Sequence, residues 1–126
     1  MNGKIVNNLG YKILFSLIMM FPVNIYAQQA VNKQSEIDRK VKEFLDQNRY
    51  HWHDLNVPYQ DGKVLYDLII KNNYKSALEI GTSTGHSSIW IAWALSKTGG
   101  KLTTIEINKG RHNIAVENIK KAGLSD

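Results

Sequence analysis

ALEIGTSTGHSSIWIAWAL, residues 77–95, passes from a strand pattern to a helix pattern through glycine and small polar residues. Ser76 to Ile80 is a short run that stops at Gly81, as suits a buried strand ending abruptly. From His86 or Ser87 to about Lys97, the residues Ile89, Trp90, Ile91, Ala92, Trp93, Ala94 and Leu95 predict a helix apolar on nearly every side. Such a helix needs cover on two faces. Thr98, Gly99 and Gly100 make a turn, Lys101 to Ile107 reads as a second strand, and Arg111 to Ala122 as a helix. Lys120 and Lys121 fill its last turn and Gly123 is its stop signal. The order strand, helix, strand, helix implies an α/β fold with a parallel, doubly wound sheet.

Upstream, Val64, Leu65, Leu68 and Ile69 are spaced to point inward from a helix that Asp61 could cap. Asn48 to Gln60, with Tyr50, Trp52, Pro58 and Tyr59, reads as a structured loop. From Ser35, Ile37, Val41, Phe44 and Leu45 share one helical face, with Glu36 and Lys40, Arg39 and Glu43, and Lys42 and Asp46 four apart. Residues 28–34 are polar and read as a linker. Ahead of them, Lys4 and Lys12 precede an apolar run from Ile13 to Val23 that is too short to span a bilayer. With the small Ala27 followed by Gln28, residues 1–27 read as a secretory signal peptide. The domain plan is therefore 1–27 leader, 28–34 linker and 35–126 globular part. The expected location is exported, periplasmic or secreted, with no stable membrane span after leader removal; a misassigned start would make it cytoplasmic.

The composition suits one small domain: 126 residues, 43% hydrophobic, 21% charged, formal charge +5 and no cysteine. Lys and Arg are interleaved with Asp and Glu rather than gathered in a patch, which argues against nucleic acid as a partner. Structural disulfides and thiolate metal sites are excluded.

The chemistry concentrates in Glu79-Ile-Gly-Thr-Ser-Thr-Gly-His-Ser87 and in Glu106 at the end of the next strand. Gly81 lets the chain turn off the strand, and Gly85 offers no side chain to obstruct a ligand approaching the following helix. Glu106 has two oxygens able to accept from both hydroxyls of an adenosine ribose. A dinucleotide fold would prefer G-x-G-x-x-G, whereas this loop is G-x-x-x-G with an acid two positions earlier. Glu79 suits a cation such as a sulfonium better than a phosphate.

In these residues the chain resembles the S-adenosylmethionine-dependent O-methyltransferases of the catechol and caffeoyl-CoA type. The resemblance runs from about Asn56 to Asp126, through VPYQDGKVLYDLI, ALEIGTSTGHSSIWIAWAL, LTTIEIN and IKKAGL. It implies a Rossmann-like class I methyltransferase fold, here truncated after the second strand and its helix, with residues 35–126 the N-terminal part of a methyltransferase domain. It further implies that Glu79, Gly81 and Ser83 line the methionine end of S-adenosylmethionine, that Ser87 binds its carboxylate, and that Glu106 takes the ribose. Gly85 belongs to the same loop, and Val57, with Asn56 and Pro58, is a weaker cofactor-binding candidate. The acceptor would be a small hydroxylated molecule. The Mg-type divalent ion and the general base of the complete enzymes would lie beyond Asp126, so no catalytic or metal-binding residue is assigned here. His86 stands where relatives often have Tyr and reads as a packed helix-start residue.

His51 and His53 lack a third nearby ligand and read as loop residues, and Trp90 and Trp93 read as core. Two other functions stay open. One is a non-catalytic S-adenosylmethionine-binding or assembly module, with a homo-oligomer formed through the open sheet edge; the other is a nicotinamide-dependent Rossmann reductase, which Glu106 would also suit.

Overall fold

The computed structural model describes residues 9–53 and 55–124, with side chains from Asn24 onward. It divides into two compact units, Met1–Lys33 and Gln34–Asp126. The described part of the first unit is the opening stretch of α1 (Leu9–Gln47). Met1 to Asn8 of the expected leader lie outside the described residues. Residues 28–34, expected as a linker, are helical: no Gly or Pro interrupts Val23 to Gln47, and Gln28 Nε2 donates to Asn32 Oδ1 (3.2 Å) one turn on. Among the described residues no helix is long and apolar enough to cross a membrane.

The second unit carries the remaining elements: α2 (Tyr59–Asn72), β1 (Ser76–Ile80), α3 (His86–Thr98), β2 (Lys101–Ile105) and α4 (Lys109–Lys121). β1 and β2 pair in parallel, with Ser76 opposite Lys101 and Ile80 opposite Ile105. As the strand-helix-strand order requires, α3 makes the crossover and packs on both strands, α2 and α4.

α3 is the centre of the core. Ile89 and Trp90 meet Val41 and Leu45 of α1 and Ala122, with Ile37 and Phe44 alongside, while Ile91, Ala94 and Leu95 meet Ile69 of α2. The apolar face expected from Ser35 onward is therefore the packed one. Its outer side carries the ion pairs Lys40–Glu36 (2.7 Å) and Arg39–Glu43 (2.9 Å), exposed pairs that add little to stability. Asp38 anchors α1 to α3 by accepting from Trp93 Nε1 (2.8 Å) and Lys97 Nζ (2.6 Å).

α2 keeps Leu65 and Ile69 of its expected inward face and turns Val64 and Leu68 outward. It starts at Tyr59 behind Pro58, with Asp61 in the first turn rather than capping. Val64 and Leu68 are 55% and 47% exposed, because Gly62, Tyr66 and Ile69 form the stripe that turns toward α3. α4 begins two residues before the expected Arg111, since Asn108 caps it by accepting from the Arg111 amide (3.0 Å). It ends where Gly123 predicts, with Gly123 N–H donating to Lys120 O (3.0 Å) and Leu124 N–H to Ile119 O (3.1 Å).

Alternation along the strands sends Ala77, Glu79, Leu102 and Thr104 toward the helical side. Leu78, Ile80 and Ile105 point the other way and are exposed, Ile80 by 81%.

Candidate functional site

Because Ile80 and Ile105 are the last paired residues, Gly81 and Glu106 leave neighbouring strands side by side. The amides of Gly81 and Thr82 both donate to Ile105 O, at 2.8 and 3.3 Å, which folds the loop over the end of β2. Gly81 has φ of 93° and Ser83 of 50°, so the bend passes twice through the left-handed region, once at a non-glycine residue. Ser83 is held there by its amide, which donates to Glu106 Oε2 at 2.8 Å. The other oxygen, Oε1, accepts from the Asn108 amide at 2.8 Å. The amides of Asn108 and Ser83 hold the Glu106 carboxyl below the ordinary value. β2 ends at Ile105 rather than at the expected Ile107 as the chain turns to make these bonds. Each oxygen keeps a second lone pair, so Glu106 can clamp the loop and still accept from a pair of ligand hydroxyls.

Glu79 takes a different set of donors. Ser87 Oγ donates to Oε1 (2.5 Å), while Thr104 Oγ1 (2.6 Å) and Ser88 Oγ donate to Oε2. All three donors are neutral hydroxyls, so none of them sets a positive charge against Glu79. With its proton on Glu79, Ser87 presents lone pairs, so a ligand carboxylate would have to use amides at the start of α3. The first amide there with a helix-type acceptor is that of Ile89, on Gly85 O (3.0 Å).

Gly85 serves a purpose other than the expected open approach to a ligand. It is buried with φ of 100°, and a Cβ there would lie 3.3 Å from both Cα and Cβ of Ala115. Its bareness lets α4 pack against the loop. Ser83 is also buried, and its Oγ has no partner among the described residues.

The segment before α2 is stitched to the same loop. Asn56 Nδ2 donates to Thr84 Oγ1 (2.7 Å), Asn56 Oδ1 accepts from the His86 amide (3.4 Å), and Asn118 Nδ2 donates to Thr84 O (2.9 Å). Val57 contributes its carbonyl, 2.7 Å from His86 Nδ1. Trp90 Nε1 can only donate, and it lies 3.1 Å from His86 Nε2, so the buried imidazole is neutral with its proton on Nδ1. Trp52 stacks on it at 4.4 Å. His86 is thus the packed helix-start residue expected.

Burial pushes the His86 pKa down, against the opposing pull of the Val57 carbonyl. An imidazole with a depressed folded pKa binds more protons unfolded, so its contribution is whole above about pH 6.5 and is lost as pH falls below it. The thermal midpoint should therefore fall from pH 7 to pH 5, and His86→Gln should flatten that slope. An equal slope in the variant would assign the acid sensitivity elsewhere.

Glu79, Gly81, Ser83, Ser87 and Glu106 thus gather at the carboxyl ends of the two strands, with Val57 joined through His86. His51 and His53 instead line a separate hollow of about 340 Å³ with Trp52, Thr84 and Asn118. Among the described residues no three His, Cys, Asp or Glu are grouped to hold a metal. Thr82, Thr104 and Asn118 join these contacts without being among the residues expected to bind the cofactor. A polar residue on the inward face of β2 was the available signal for Thr104.

A family model described as O-methyltransferase matches residues 28–126. The chain belongs to the O-methyltransferase family. This member is 30% identical over 102 residues to caffeoyl-CoA O-methyltransferase of Populus kitakamiensis, covering 81% of this chain and 43% of that protein. It is 39% identical over 71 residues to catechol O-methyltransferase of Niastella koreensis, covering 56% and 32%. Among solved structures it matches the O-methyltransferase from Bacillus cereus in complex with SAH, with TM-score 0.57 and 34% identity, covering 69% of this chain and 40% of that one. TomG from Streptomyces achromogenes, in complex with SAM, matches with TM-score 0.55 and 33% identity, covering 68% and 39%. The O-methyltransferase-family chain therefore has the expected Rossmann-like α/β architecture and spans less than half the length of these relatives.

Proposed function

We propose that this chain carries the methyl-donor side of an S-adenosylmethionine-dependent O-methyltransferase, the whole protein methylating a hydroxyl of a small acceptor. The observation that carries the reading is Glu106 beside the Gly81–Ser83 bend, with Glu79 one strand over. The matched proteins from Bacillus cereus and Streptomyces achromogenes are described with SAH and SAM, which supports the same class of ligand here. Glu106 would accept from the ribose hydroxyls and Glu79 would face the positive end of the donor. Bound S-adenosylmethionine supplies an electrophilic methyl group; the chain's own residues bind and orient it, a contribution of position rather than of acid–base chemistry.

The described residues do not fit a divalent-metal site, and no step is assigned to one. The exposed face of Leu78, Ile80 and Ile105 is where the rest of such a protein would pack, since parallel sheets are ordinarily covered on both sides. Export after cleavage at Ala27 is part of the proposal; mature protein beginning at Gln28 in an envelope fraction supports it, and intact Met1 in the cytosol refutes it.

Calorimetry on the full chain tests the site. One-to-one binding of S-adenosylhomocysteine, tighter than that of NAD, is the expected result. Absence of binding, or preference for NAD, would overturn the proposal.

A further inference from the structure

The Glu79 carboxylate sits at the end of a hydroxyl chain whose direction is determined by chemistry. An ionised carboxylate only accepts, so Thr104 Oγ1 must donate its single proton to Glu79 Oε2, at 2.6 Å. Thr82 Oγ1 lies 2.5 Å from Thr104 Oγ1, and with the Thr104 proton committed, Thr82 is the donor in that pair. Thr82 is buried, just past Gly81, and Thr104 is on the inward face of β2, so the chain ties the bend to both strands.

A carboxylate offers about four acceptor sites, two on each oxygen. On Glu79, Ser88 and Thr104 fill both on Oε2, and Ser87 fills one on Oε1. One site on Oε1 remains, next to the lone pairs of the Ser87 hydroxyl. Two acceptors side by side, one of them charged, complement an N–H donor that carries positive charge. Without Thr104, Oε2 would hold one donor instead of two, and the carboxylate could rotate to exchange its oxygens.

We propose that Thr104, backed by Thr82, is a positioning residue that locks the Glu79 carboxylate so that its open Oε1 site meets the ammonium at the amino-acid end of a methyl-donor nucleoside. This rests on the reading of the site given under Proposed function. Glu106, beyond the end of the neighbouring strand, would hold the ribose, so the effect is confined to ligands bearing the amino-acid end.

The test compares Thr82→Val/Thr104→Val with Thr104→Ser in the full chain, by calorimetry with S-adenosylhomocysteine and with adenosine. Removing both hydroxyls leaves no orphaned partner in the Thr82–Thr104 pair, valine suits the place of Thr104 in β2, and Ser88 still donates to Glu79 Oε2, so the double variant should keep its thermal midpoint. Its affinity for S-adenosylhomocysteine should fall about tenfold while that for adenosine stays within about twofold. Thr104→Ser, which keeps the hydroxyl, should restore S-adenosylhomocysteine binding to within about twofold of the parent. A purely structural role would reverse the order, with serine the more harmful change and both ligands affected alike. Unchanged S-adenosylhomocysteine affinity in the double variant, or an equal loss for adenosine, would overturn the proposal. If the unaltered chain fails to bind S-adenosylhomocysteine, the nucleoside reading itself falls and takes this inference with it, an outcome distinguished by absence of binding before any substitution.

Discussion

Glu106→Gln should weaken S-adenosylhomocysteine binding by about a hundredfold. Two effects combine. On the proposed reading, a neutral amide would exchange charge-assisted bonds to the ribose hydroxyls for weaker ones. The amide also has only one oxygen. Glu106 now accepts from the Ser83 amide on Oε2 and the Asn108 amide on Oε1, so in the variant one of those amides would face an NH2 group. The amide that faces it, that of Asn108 or that of the left-handed Ser83, should exchange faster with solvent. Glu106→Asp keeps the charge but is one methylene shorter and should lose about tenfold. In the unaltered chain, the Asn108 and Ser83 amides depress the Glu106 carboxyl, so the ionised form persists through mildly acid pH. Affinity should therefore hold from pH 8 to pH 5 and fall only as pH drops through that lowered value. Full affinity in Glu106→Gln would show that the carboxylate serves the loop alone.

The juxtaposition behind that prediction was legible because it follows from local rules. A run ending at Gly81, and a second run ending near Glu106, joined by a helix, can pair only in parallel, and parallel pairing brings the two strand ends to one edge. Gly123 and the α1 face of Ile37, Val41, Phe44 and Leu45 were readable for the same reason, since each depends on neighbours within a turn or two. What escaped depends on residues distant in sequence. Gly85 reads as an opening for a ligand because nothing near it in sequence shows that Ala115 occupies the space. Val64 and Leu68 fit an inward stripe with Leu65 and Ile69 by spacing, but the contact face of α2 is set by the aromatic rings of α3, which draw Tyr66 inward beside Leu65 and Ile69 and leave Val64 and Leu68 outside. The donors to Glu79 come from α3 and β2, elements that meet only in the folded chain.

Gly62→Ala should destabilise the chain by about 2 kcal/mol, although alanine is the better helix former by roughly 1 kcal/mol. Gly62 is buried in α2, and a Cβ there would stand 2.2 Å from Trp90 Cδ1, 2.4 Å from Nε1 and 2.8 Å from Cγ. The indole has little room to yield. Tyr59 meets it edge-on at 5.1 Å, Tyr66 at 6.2 Å and Trp93 at 5.7 Å, and its Nε1 is bonded to His86. Either α2 backs away and opens the packing around Ile69, or the indole shifts and leaves His86 Nε2 without its donor. The second route reaches the site, because His86 also holds the Val57 carbonyl beside the glycine loop. Urea unfolding should show a lower midpoint for Gly62→Ala with an unchanged slope, and S-adenosylhomocysteine affinity should fall with it. Gly62→Ala combined with Trp90→Leu, which removes the clashing ring, should lose less than the sum of the single changes, because the two positions share one space. A Gly62→Ala chain as stable as helix propensity alone would make it would mean that α2 and α3 do not approach so closely, and that the glycine of the Asp61-Gly62 pair is not there to admit the indole.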